Sequence, residues 1–537
     1  MSQFGNFRNR SVNQHRFSMV PRADVPRASF QRQHAYKTAF DAGLLIPVFC
    51  DEVLPGDTFN VKMTAFARMS TPLFPTMDNL KLTSFFFFVP NRLVWDNWVK
   101  FMGEQKNPGD SIDYLVPQVR FPESGYQVSS IQDYFGLPVL KGNIDEYHNV
   151  LPFRAYNLIW NEWFRDENLQ DSVPVSTGDS DEPSVQYKLL RRGKRHDYFT
   201  SALPWPQKGD SVSIPLVGDA QIYGDGTPIS FVDQSANQTY FKSSGTSPGM
   251  AVQTTAVTDS STPFGFAAVP QGLFADLSSA SAATINQLRQ AFQIQALLER
   301  DARGGTRYTE ILQSHFGVRS PDARLQRPEY LGGSTAPIII NPVANTVGIS
   351  APAERPLGSL GGVAHVLASN HGFQQSFVEH GYVIGLVCVD ADLTYQQGLH
   401  KMWSRQTRYD FYWPSFANLG EQAVLNKEIY FGMDSDANDA VFGYQERWAE
   451  YRYKPSQITG LLRSGIPDSL DVWHFAQNFD DYVNLNDDFI QSNPPIERTL
   501  AVQEPEFSKQ FIFDSVFENF TARPMPLYSV PYQMMRF

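Results

Sequence analysis

Thr58-Phe59-Asn60-Val61-Lys62-Met63-Thr64-Ala65-Phe66-Ala67-Arg68-Met69 alternates almost from end to end. Phe59, Val61, Met63, Ala65, Ala67 and Met69 share one side. Thr58, Asn60, Lys62, Thr64 and Arg68 share the other, and Phe66 is the misfit. A period of two over this length predicts a strand with one buried face. The turn Leu54-Pro55-Gly56-Asp57 leads into it. Downstream, Lys81–Val89 carries Phe85, Phe86, Phe87 and Phe88 in succession and stops at Pro90. Four consecutive phenylalanines predict a strand buried on both faces, or one whose second face meets another subunit. Pro337–Asn341, Gly381–Asp390 and Lys509–Phe513 read as further strands. Strands at both ends, with helices and long loops between them, predict a mainly β antiparallel sandwich carrying insertions.

Composition agrees with this. The 537 residues include 36 Gly, 36 Pro, 41 Phe and 23 Tyr, a mixture that favours strands and turns. No apolar run approaches the ~20 residues of a membrane-spanning helix. The longest, Tyr382–Val389, is interrupted by Gly385 and reads as a buried strand. The start of the chain lacks the apolar core of a signal peptide. Cys50 and Cys388 are the only cysteines, which excludes a disulfide framework and points to folding in a reducing cytoplasm. Helical spacing appears within Leu151–Glu167 (Phe153, Tyr156, Trp160, Trp163, Phe164) and Ala283–Arg300 (Ile285, Leu288, Phe292, Leu297), and both stripes read as packing faces. Residues 210–280 are rich in Ser, Thr, Gly and Asp, with weak periodicity. They read as a surface excursion, either with short strands of its own or partly mobile. Residues 520–537 are apolar and punctuated by proline, and read as an extended tail lying over a neighbour.

Charge is distributed unevenly. The chain carries a net −12, yet its first 40 residues hold seven cations against Asp24 alone. Arg8, Arg10, Arg16, Arg22, Arg27, Arg32 and Lys37 are interleaved with Phe4, Phe7, Phe17, Phe30 and Tyr36. Spaced cations among aromatics suit a nucleic-acid backbone and its base faces. The seven cations are therefore candidate DNA contacts on a basic arm, residues 1–36. The plainer alternative is a solvated chain end. A second basic cluster, Arg191-Arg192-Gly193-Lys194-Arg195-His196, either faces nucleic acid or pairs with nearby carboxylates.

No motif carries catalysis. Gly245-Thr246-Ser247-Pro248-Gly249 matches a nucleophile elbow in letters only, since it lies in the polar excursion with proline after the serine. Asp434-Ser435-Asp436-Ala437-Asn438 starts like a calcium loop, but Asp439 and Gln445 stand where glycine and glutamate are needed. Neither a metal site nor a cofactor site is expected. The residues describe a non-enzymatic, strand-rich protein of the kind that builds a shell around nucleic acid.

Longer blocks sharpen this reading. His34-Ala35-Tyr36-Lys37-Thr38-Ala39-Phe40-Asp41-Ala42-Gly43-Leu44-Leu45-Ile46-Pro47 and Asp51-Glu52-Val53-Leu54-Pro55-Gly56-Asp57 resemble the opening of the major capsid protein of gokushoviruses, small tailless bacteriophages of the Microviridae. The resemblance continues through Phe85–Pro90, Leu298–Tyr308, Ser320–Tyr330 and Tyr451–Pro455, and is weakest over 210–280. It implies one eight-stranded antiparallel jelly roll, residues 37–537, elaborated by long insertions with helices and loops. It also implies pentamers that assemble into a T=1 icosahedral virion around circular single-stranded DNA. A small basic DNA-binding protein, a pilot protein and an internal scaffolding protein are the further partners implied. Residues 210–280 would form the variable protrusion at the threefold axes, with a family-level role at the host cell surface. The competing readings are a non-viral jelly-roll binding module and a cupin- or glycosidase-type enzyme. The basic arm counts against the first, and the lack of clustered metal ligands counts against the second.

Overall fold

The computed structural model describes residues 26–528, apart from residue 123, 140–145, most of 211–284, 319–325, 347–356 and 502–508. The chain divides into two compact units: residues 207–304 form one and the remainder the other.

The larger unit is built on ten strands: β1 (Ala28–Gln31), β2 (His34–Phe40), β3 (Ile46–Val53), β4 (Thr58–Met69), β5 (Leu80–Pro90), β6 (Glu329–Gly332), β7 (Thr335–Ala344), β8 (Leu360–Ser376), β9 (Gly381–Ala391) and β10 (Phe511–Arg523). All their pairings are antiparallel. β1 and β2 together form one edge against β10, which pairs with β4, which pairs with β8. In the second sheet β3 pairs with β9, β9 with β5, and β5 with β6 and the start of β7. The end of β7 crosses to β8, so this strand stitches the two sheets together. Two antiparallel sheets with this interleaved order are the jelly roll. The length sits in two connections, 91–328 between β5 and β6 and 392–510 between β9 and β10.

The alternation in β4 is realised: Phe59, Val61, Met63, Ala65, Ala67 and Met69 are all buried between the sheets. They meet Phe86 and Phe88 of β5, Val383 and Val387 of β9, and Phe511, Phe513 and Phe517 of β10. Phe87 points the other way, into a second core with Ile384 and Leu386. That core is closed by α1 (Leu151–Trp163), whose Leu151, Phe153, Tyr156, Ile159 and Trp160 are buried. Both faces of β5 are therefore covered within one subunit, which explains the phenylalanine run. Tyr156 donates to the Leu45 carbonyl at 2.9 Å and Trp160 to that of Arg191 at 2.8 Å, so the polar atoms of this face are satisfied as well.

The smaller unit has short strands of its own. Gln221–Gly224 pairs with Leu273–Asp276, and Ser230–Val232, Gln238–Ser243, Met250–Val252 and Gly265–Phe266 form a second sheet. Its helix α2 (Ile285–Arg303) departs from expectation: Ile285, Phe292 and Leu297 are exposed, at 69%, 63% and 51%. The helical spacing is real, but no described residue of the smaller unit covers that face. No helix among the described residues is long and apolar enough to cross a membrane.

Candidate nucleic-acid interface

The first cations of the arm, Arg8, Arg10, Arg16 and Arg22, lie outside the described residues, and so does Ser247. The chain comes into view beside the end of β10. Ala28–Gln31 pairs with Phe520–Arg523, so the last part of the expected 1–36 arm is strand, as are the first residues of the expected 520–537 tail. Backbone donors near a sheet edge find partners there at no cost in side chains.

Arg32 is built into this junction. Its guanidinium donates to Asp51 at 3.1 Å and to Thr521 at 2.9 Å, and lies 5.5 Å from the centroid of the Phe59 ring. Arg523 lies over the same ring at 5.6 Å and pairs through Nε with the fully buried Asp57 at 3.1 Å. Asp57 in turn accepts from the Leu54 backbone at 2.9 Å and closes the Leu54–Asp57 turn, where Gly56 sits at a φ of +92°. Asn519 completes the set by donating to Asp51 at 3.2 Å. Two cations, two carboxylates and one aromatic ring thus clamp the root of the arm to both sheets. Arg32 is thus held by protein partners, and contact with phosphate would mean exchanging these bonds. Arg27 is exposed and donates to Thr58 at 2.9 Å, and Lys37 is exposed with Asp514 at 3.3 Å. Both remain accessible to solvent. Sequence reasoning missed Arg523, Asp51 and Asp57 because nothing local marks them; their partners come from the opposite end of the chain.

The 191–196 cluster divides in the same way. Arg191 donates to the carbonyls of Ala42 and Ser492, and Arg192 pairs with Asp390 at 2.6 Å while lying over Phe85. These two are structural. Lys194, Arg195 and His196 have no ion pair among the described residues. Asp434 caps the short helix Ser435–Asp439 by accepting from the backbone of Asp436 and Ala437, so the calcium-like run is a helix start. No group of three or more metal-ligating side chains occurs among the described residues. Cys388 is buried in β9, and burial raises its thiol pKa well above the ordinary value, opposite to what a nucleophile needs.

Comparison with known proteins agrees with this geometry. A family model described as "Capsid protein (F protein)" matches residues 18–533. The chain is 49% identical over 542 residues to the capsid protein VP1 of Bdellovibrio phage phiMH2K, covering 98% of this chain and 99% of that protein. It is 46% identical over 594 residues to the capsid protein VP1 of Chlamydia phage 1, with 97% and 98% covered. To that of Spiroplasma virus 4 it is 36% identical over 542 residues, with 96% and 97% covered. With a jelly roll and a match running nearly from end to end, the chain belongs to the capsid protein (F protein) family of the gokushovirus type, and that family makes it a structural, non-enzymatic subunit.

Proposed function

We propose that this capsid subunit forms pentamers that build a T=1 icosahedral shell around a circular single-stranded DNA genome. The observation that carries this reading is the outer face of the first sheet. Phe66 and Leu367 stand opposite each other in register, and Ile512, Val516 and Phe520 continue the same face on β10. Phe66 is 47%, Leu367 66% and Ile512 61% exposed. A soluble monomer rarely leaves so many large apolar side chains together in water, whereas a shell subunit covers them. The misfit of Phe66 in its own strand is thereby accounted for. The mass of the purified protein by light scattering, with and without internal scaffolding protein, tests the reading. Pentamers or particles of shell mass are expected, and a stable monomer under both conditions would overturn it.

The shell reading brings further parts with it. Arg8, Arg10, Arg16, Arg22, Arg27 and Lys37 tether the genome, beside a small basic DNA-binding protein and a pilot protein. Synthesis and assembly take place in the bacterial host cytoplasm, and residues 210–280 form a threefold protrusion that meets the host surface. The paired strands within that segment support a self-contained excursion. Replacing residues 215–275 with a short Gly/Ser linker is expected to leave solubility and particle formation intact while attachment to host cells falls at least tenfold, about 1.4 kcal/mol. Insoluble protein from this variant would make the segment part of the core.

A further inference from the structure

The outer side of the second sheet bears a cavity of about 450 Å³, within the size range of small-ligand sites. Its walls are aromatic: Phe85 and Phe87 of β5, Trp163 and Phe164 at the end of α1, and Tyr330 of β6. Trp163 and Tyr330 are 37% and 43% exposed, with ring centroids 5.9 Å apart, and the Arg327 guanidinium lies 4.7 Å over Trp163. Lys194 and Arg195 bring positive charge to its lining, and His196 lies beside them.

Lys194 is the telling residue. It is only 8% exposed, its Nζ lies 4.2 Å from the centre of the Phe489 ring, and it has no ion pair among the described residues. Burial brings its pKa down to about 8, against a smaller pull upward from Asp197, so it is still cationic at neutral pH. Asp166 also lines the cavity, but its carboxylate accepts from the backbones of Asn168 and Leu169 at 2.9 and 3.1 Å. A nearly buried ammonium with no ion pair among the described residues, and only the more distant Asp197 acting on it, favours an anion. Flat aromatic faces beside it favour a planar ring. A nucleotide offers both in one unit.

We propose that this cavity takes one nucleotide of single-stranded DNA, with the base against the Trp163–Tyr330 wall and the phosphate at Lys194 and Arg195. The assignment deepens the reading of a shell around single-stranded DNA and rests on it for the source of the strand. It adds a contact separate from the arm, and one that reads a base face as well as a phosphate.

The test uses the full-length protein with three probes: a short oligodeoxynucleotide, dAMP and inorganic phosphate. Binding is followed by quenching of tryptophan fluorescence. Ultraviolet crosslinking followed by peptide mapping gives the position. Lys194→Met keeps an unbranched side chain at this buried position while removing the charge, and Arg195→Glu reverses a charge on an exposed residue. Each is expected to weaken oligonucleotide binding about tenfold, and the crosslink should fall on Trp163 or Tyr330. Unchanged affinity in the Arg195→Glu protein, folded as judged by circular dichroism, would overturn the site. Phosphate competing as well as dAMP would overturn the base contact, and dAMP binding as tightly as the oligonucleotide would overturn the strand. Repeating the titration on protein lacking residues 1–26 separates the two readings. Retained binding with crosslinks in the cavity supports this site even if such particles package no DNA. Loss of binding there would show that the arm alone had been measured.

Discussion

Removing residues 1–26 is expected to leave a folded subunit that assembles but packages several-fold less DNA, whereas removing residues 1–32 should damage the subunit itself. The shorter deletion takes away Arg8, Arg10, Arg16 and Arg22 and stops before β1. If all four touch phosphate, the slope of log affinity against log salt for single-stranded DNA falls by about 3. The longer deletion removes β1 from the edge of β10 and takes Arg32 from Asp51, Thr521 and the Phe59 ring. Losing a partly buried charge-assisted pair together with a strand edge should cost about 2–4 kcal/mol. Absorbance ratios of purified particles report the packaged DNA, and denaturant melts of both proteins report stability. Equal DNA content in wild-type and 1–26-deleted particles would remove the arm from packaging. Equal melts for the two deletions would remove the clamp from folding.

Glu182→Ala is expected to be the most damaging single substitution outside the jelly-roll core. Arg154 projects from α1 into the second core and is fully buried. Its Nε donates to Glu182 at 2.8 Å, and its other nitrogens reach the carbonyls of Val94 and Gly178, each at 3.0 Å. Glu182 also accepts from Tyr187 and Gln186, so one carboxylate neutralises the guanidinium and ties three segments of the 91–328 insertion together. Deleting it strands a positive charge in an apolar interior, at a cost of about 3–5 kcal/mol. Replacing both partners, with Arg154→Met and Glu182→Leu, should cost clearly less than the two single changes added together. Urea midpoints of the three proteins check this, and strict additivity would mean that the pair contributes no coupling.

The barrel was readable in the sequence where one physical rule governed it. β4 has one wet face and one dry face, so period two is written into Thr58–Met69. The phenylalanine run admitted two readings, and α1 decided between them by covering Phe87 from within the same subunit. The cations were harder, because an arginine letter does not say whether its charge is already neutralised. Arg32, Arg191 and Arg192 are held by partners that lie hundreds of residues away or on another sheet, while Lys194 and Arg195, next in line, are not. Only the folded register distinguishes them. The stripe on α2 was legible as a helix but not as an exposed one, since spacing shows that a face is apolar and not what meets it.

The position of β10 has a consequence for how the subunit is made. This strand lies between the β1–β2 edge and β4, yet it is synthesised several hundred residues after them. At roughly 5–20 residues per second that delay is on the order of tens of seconds. Throughout that time β2 and β4 have their mutual neighbour missing, and the pocket for Phe511, Phe513 and Phe517 stands open. The nascent chain thus spends most of its synthesis with unpaired edges that invite aggregation and chaperone capture. If neighbouring subunits meet on the outer face of this sheet, as proposed above, the same delay would act as a timer that confines assembly to finished copies.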